Sequence, residues 1–132
     1  MIFIDASAYI GILNPDDSNH KKALELSSFL TQENHTITSY AVLGEVLTVG
    51  SMRYNRKASI DFVKGIFESK TTIVAENSEL RKKAFKIFQD IKDKDVSWVD
   101  CYSFAIIDHY KIEKVFSFDK DFKKYTKAKL LE

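Results

Sequence analysis

The chain has one cysteine, Cys101, in 132 residues. An internal disulfide is therefore impossible, which suits a reducing compartment, and we expect a cytoplasmic protein. A single proline, Pro15, and four glycines leave no Pro/Gly-rich linker or low-complexity tract to divide the sequence. No internal repeat is visible. One domain spanning residues 1–132 is expected, long enough to bury a real core. No apolar run approaches the roughly 20 residues that cross a bilayer. The opening Met1-Ile2-Phe3-Ile4-Asp5 meets an acid with no basic segment before it, so it does not read as a secretory leader. Three scattered histidines, His20, His35 and His109, exclude the paired spacing of a zinc site. A charge excess of either sign is also missing. The net charge is +1, from 20 basic and 19 acidic residues, unlike a strongly basic nucleic-acid binder. Acids gathered into one site would, however, leave the rest of the surface more basic than the total.

What is present is an ordinary globular composition, 45% hydrophobic and 30% charged, in which short β-like runs alternate with longer helical ones. Residues 1–4, 36–39, 71–75 and 114–118 read as strands, with a last edge strand over 128–131. Residues 6–13, 18–31, 40–52, 57–68, 78–91 and 98–110 read as helices, from apolar residues at helical spacing and from the stop at Asn14-Pro15. Phe85, Phe88 and Phe104 read as core residues, Cys101 as a small core residue, and Arg81-Lys82-Lys83 as a solvated helix face. Alternating strands and helices predict an α/β fold with a parallel sheet, whose ligands bind beyond the carboxyl ends of the strands.

That rule singles out particular acids. Asp5 follows the first strand and Asp119 follows the strand 114–118, with Asp121 close behind. Glu45 lies among Ala41, Val42, Val46, Leu47 and Val49, where an unpartnered carboxylate is costly to bury. Asp100 has a similar setting between Trp98, Val99, Cys101 and Phe104. Each also has a structural reading. Asp5 can cap the following helix, Ser97-Trp98-Val99-Asp100 spells a capping box, Asp119 suits a turn or an N-cap, and Glu45 can pair with a basic residue. Four converging carboxylates repel one another unless a hard dication joins them, and Mg2+ or Mn2+ is the expected cofactor. Such a site suits phosphoryl chemistry. Arg53, Arg56 and Lys57, after the helix bearing Glu45, and Lys120, Lys123 and Lys124, after Asp119, are candidates for backbone phosphates.

These residues resemble the PIN domain family, and within it the toxin ribonucleases of type II toxin–antitoxin pairs, the virulence-associated protein C type. Ile2-Phe3-Ile4-Asp5-Ala6-Ser7 looks like its first motif and Thr38-Ser39-Tyr40-Ala41-Val42-Leu43-Gly44-Glu45-Val46 like its second. Ser97-Trp98-Val99-Asp100 looks like the third and Ser117-Phe118-Asp119-Lys120-Asp121-Phe122 like the fourth. The resemblance covers essentially the whole chain. It implies a three-layer α/β/α sandwich with a four- to five-stranded, mostly parallel sheet. It also implies a catalytic, metal-binding quartet of Asp5, Glu45, Asp100 and Asp119, supported by Ser7, Ser117 and Asp121. The implied activity is metal-dependent cleavage of single-stranded or looped RNA, by a homodimer with a cognate antitoxin. An aspartate-nucleophile phosphatase needs a second aspartate where Ser7 stands. A phospho-receiver domain needs an early acid pair at a strand end, whereas Asp16-Asp17 follow Pro15. The remaining alternative is an inactive PIN-like scaffold that binds RNA or protein.

Overall fold

The computed structural model describes residues 1–30 and 34–132. The chain opens with β1 (Ile2–Ile4), α1 (Ala6–Leu13) and α2 (His20–Ser27), then β2 (Thr36–Ser39), α3 (Tyr40–Arg53) and α4 (Arg56–Phe67). It continues with β3 (Thr72–Val74), α5 (Ser78–Asp90) and α6 (Trp98–His109), and ends with β4 (Lys114–Phe116), α7 (Asp121–Tyr125) and β5 (Lys129–Leu130). All five strands lie parallel in the order β3-β2-β1-β4-β5. Right-handed crossovers then put α1 to α4 on one face of the sheet and α5 to α7 on the other. The packing of α1 on α2 and α3, of α3 on α4, and of α5 on α6 agrees with those layers.

The central strand β1 is buried along its length, as its apolar run Ile2-Phe3-Ile4 requires. Phe3, Phe104, Phe116 and Phe122 are the largest fully buried side chains. The Phe104 and Phe122 rings meet edge to face with centroids 5.1 Å apart, a favoured aromatic geometry. Helix starts follow from short polar side chains that take up otherwise unbonded N–H groups. Ser39 accepts from Val42 N–H, Asn55 from Ala58 N–H, and Asn77 from Leu80 N–H.

Four expectations change. The segment after Asp119, read as merely basic, forms α7, because Phe122 anchors it in the core. The helix expected over 18–31 ends at Ser27 in α2, and its expected last residue, Thr31, lies outside the described residues. Strand β4 stops at Phe116 rather than at residue 118. Phe85 and Phe88 are not core residues. They are 54% and 45% exposed and pack edge-on against the indole of Trp98, because the inward face of α5 is taken by Leu80 and Ala84.

Candidate active site

The chain winds outward from β1 to β2 and β3, then crosses back to β4 and β5. Successive connections therefore leave β1 and β4 on opposite faces, and a crevice opens between the carboxyl ends of these two strands. Ile4 is the register partner of Phe116, and Asp5 N–H donates to the Phe116 carbonyl at 3.0 Å. Asp5 and the segment Ser117–Asp119 thus issue from neighbouring strand ends.

Asp5 is only 4% exposed. As the N-cap of α1 it accepts from Ser7 N–H at 3.3 Å. The same oxygen, Oδ2, accepts from the Ser7 hydroxyl at 2.9 Å and the Ser117 hydroxyl at 3.0 Å. Each hydroxyl has one proton, so when both serve Asp5 the 3.1 Å contact between the two serines carries no proton. The serine oxygens then accept from the backbone, Ser7 from Phe118 N–H at 2.9 Å and Ser117 from Asp119 N–H at 3.0 Å. The pair thereby ties the Asp5 carboxylate to the loop that carries Asp119. Burial pushes the Asp5 carboxyl up, and the two serine hydroxyls and the Ala6 and Ser7 N–H groups only partly offset this.

Asp119 accepts from Asp121 N–H at 2.9 Å and so sets the turn into α7. Asp100 closes a capping box, accepting from Ser97 N–H while its own N–H donates to the Ser97 hydroxyl, both at 3.1 Å. The structural readings of Asp5, Asp100 and Asp119 are therefore all present in the fold, and a local job does not prevent a shared electrostatic one. Glu45 has no cap to explain it. It is half-buried in α3, and its carboxyl is pushed up to about 7, by burial first and then by Asp5, Asp100 and Asp119, with Arg53 pulling it down. Burial also raises Asp100, with Asp5 and Asp119 adding to it. Asp121 rises through burial first, then Asp119, Asp93 and Asp100.

Asp5 after β1, Asp100 in α6 and Asp119 in the loop after β4 thus all act on Glu45 in α3. Among the described residues no three His, Cys, Asp or Glu side chains stand close enough to grip an ion as they are. The donor set nevertheless fits a hard dication in kind, being all carboxylate oxygen and self-repelling. Of the basic candidates, Arg53 reaches the field of Glu45. Arg56 and Lys120 are exposed beside the termini of α4 and α7. Lys57 is held by Asp61 at 2.8 Å, which leaves it less free for a phosphate. Asp93 lies in the segment between α5 and α6. It reaches Lys124 at 3.9 Å and acts on Asp121, and no local pattern marks it out.

The PIN domain family profile matches residues 2–128. The chain belongs to the PIN domain family. Among curated proteins it is 26% identical, over 122 residues and 92% of each chain, to the 23S rRNA-specific endonuclease VapC20 of Mycobacterium tuberculosis. The crystal structure of that protein, described as a sarcin-ricin loop cleaving toxin, shares the fold with a TM-score of 0.87 at 23% identity, over 97% of this chain and 98% of that one. FitAcB from Neisseria gonorrhoeae follows the same fold with a TM-score of 0.73 at 15% identity, over 100% and 97%. VapBC2 from Rickettsia felis, solved bound to a DNA fragment from its promoter, has a TM-score of 0.63 at 15% identity, over 99% and 98%. Among the described residues no helix is long and apolar enough to cross a membrane.

Proposed function

We propose that residues 1–132 act as one PIN nuclease domain, a metal-dependent endoribonuclease of the toxin type that cuts single-stranded or looped RNA in the cytoplasm. The observation that carries this reading is the shared field on Glu45 from Asp5, Asp100 and Asp119. Four acids on four separate segments, near the carboxyl ends of β1 and β4 where the strand order reverses, work against folding unless a bound cation uses them. Asp5, Glu45, Asp100 and Asp119 would hold Mg2+ or Mn2+. Such an ion, when bound, offsets the charge of a phosphodiester and lowers the pKa of an attacking water.

The chain's own groups do the rest. Ser7 and Ser117 fix the direction of the Asp5 carboxylate through its Oδ2. The Asx turn from Asp119 to Asp121 N–H fixes the loop, leaving Asp121 as a support at the rim. Arg53, Arg56 and Lys120 would take flanking phosphates, with Lys57 doing so only on leaving Asp61, and unpaired RNA bends into a concave site more readily than a duplex. The rRNA-cutting relative supports an RNA substrate, and the FitAcB and VapBC2 structures support a cognate antitoxin partner. We take a homodimer, which the resemblance implies, as the working form.

The test is cleavage of structured RNA, including a ribosomal stem-loop, by wild type and Asp100→Asn, with manganese and with EDTA. Wild type cuts only with the ion and the variant does not cut. Cleavage that survives EDTA or the substitution overturns the mechanism. Binding without cutting by the wild type makes the protein an RNA-binding scaffold instead.

A further inference from the structure

The molecule has a second feature that these acids do not use. A cavity of about 890 Å³ lies between α5, α6, α7 and the β4–β5 edge of the sheet. Its floor is apolar, formed by Phe104, Ile107 and Ile112 with Ile87 and Tyr125 beside them. Its rim carries six lysines, Lys83, Lys111, Lys114, Lys124, Lys127 and Lys129, against two acids, Asp108 and Glu113. The acids do not balance them. Lys83 and Lys111 share Asp108, and Lys124 turns to Asp93 outside the cavity. Lys114, Lys127 and Lys129 have no ion pair among the described residues.

The sheet register sharpens the point. Lys114 and Lys129 are direct partners on β4 and β5, both exposed, so two like charges stand side by side on one face. Like charges directly opposed on neighbouring strands are destabilising, and a bound anion relieves them. Helix α7 runs from the acid crevice, at the carboxyl end of β4, back toward the cavity, whose Lys114 and Lys129 open β4 and β5 at the other end of these short strands. It begins at Asp121 beside Asp119 and ends with Lys124 and Tyr125 in the cavity wall.

We propose that the cavity is a second RNA-binding site, which takes the strand flanking the cleavage point. Unpaired bases rest on Ile87 and Tyr125, the accessible apolar groups above the buried Phe104, Ile107 and Ile112, and their phosphates meet Lys114, Lys127 and Lys129. This combination of a basic rim and an apolar, aromatic-bearing floor suits single strands read without sequence preference. A folded duplex would expose too little base surface to use the floor. An acidic protein segment would satisfy the lysines and is an outcome of the test. The proposal rests on the reading of the acid crevice as an RNA site, and it explains how a chain of net charge +1 holds RNA.

The experiment measures binding of an oligouridylate in EDTA, where no cutting occurs, as a function of salt. Four proteins are compared: wild type, the triple variant Lys114→Gln/Lys127→Gln/Lys129→Gln, its Lys→Arg counterpart, and a control losing the same charge at Lys21, Lys22 and Lys70. The cavity triple variant should bind about tenfold more weakly, with a salt slope lower by about two, since each phosphate contact to a single strand contributes about 0.7. The arginine version should bind as wild type does, and the control should change little. Equal losses in the control and the cavity variant overturn the proposal, because net charge alone then explains them. Unchanged binding and slope in the cavity variant also overturn it and leave the lysines to an acidic protein partner. A parallel cleavage assay with manganese keeps the two readings apart. Lysine-dependent binding by a wild type that never cuts sinks the nuclease reading and leaves the groove standing.

Discussion

Replacing Glu45 with glutamine tests whether the acid crevice is arranged for a cation or for stability. The Glu45 carboxyl is raised from 4.5 to about 7, by burial first and then by three neighbouring acids. A raised carboxyl pKa means that the folded state disfavours the charged form. The cost is therefore absent where folded and unfolded chains are both protonated, below about 4.5. It grows as pH rises and is complete above about 7. Taken in full, a gap of that size is worth about 3 kcal/mol. Water screens a half-buried group, so we take about 1–2 kcal/mol. Glu45→Gln in a chelator should therefore be more stable than wild type by about that amount at pH 8, or roughly 3–8 °C in Tm. Most of the gain should be gone by pH 5. Urea and thermal melts of both proteins at the two pH values measure it. Manganese should then stabilise wild type more than the variant, since binding to the folded state adds in proportion to affinity. A variant less stable than wild type at pH 8, or a gain independent of pH, would refute the argument that these acids repel one another.

The remaining expectations concern single side chains. Ser117→Ala removes a donor to the buried Asp5 and the acceptor for Asp119 N–H, and should cost about 1–3 kcal/mol in denaturant melts. Gly50→Ala would put a Cβ 2.5 Å from the Ser59 hydroxyl oxygen and 3.0 Å from Leu13, where α3 approaches α4. A loss of about 1–3 kcal/mol should follow, and an unchanged Tm would contradict that packing. Asp100→Asn retains an acceptor for Ser97 N–H, so it should lose less than about 1 kcal/mol of stability in the melt while RNA cleavage disappears.

Local chemistry is what the residue string determined by itself. The alternation of β-branched runs with helical periodicity identified the parallel α/β class, because strand and helix periods are properties of a few neighbouring residues. Asp5, Asp100 and Asp119 could be singled out as candidates for the same reason, each standing beside a strand end or a cap. Glu45 could be found because a charge on an apolar helix face is conspicuous.

What only the tertiary structure decided is what depends on distant partners. The burial of Phe122 against Phe104, and with it helix α7, is invisible in a segment that reads as basic. Phe85 and Phe88 obey a helical period and are still exposed, because the period identifies a face and not what covers it. The two serines 110 residues apart that grip one oxygen of Asp5, and the pairing of Lys114 with Lys129, exist only once β1, β4 and β5 lie side by side. Charges far apart in sequence interact through space, and the strand order sets how far apart they are.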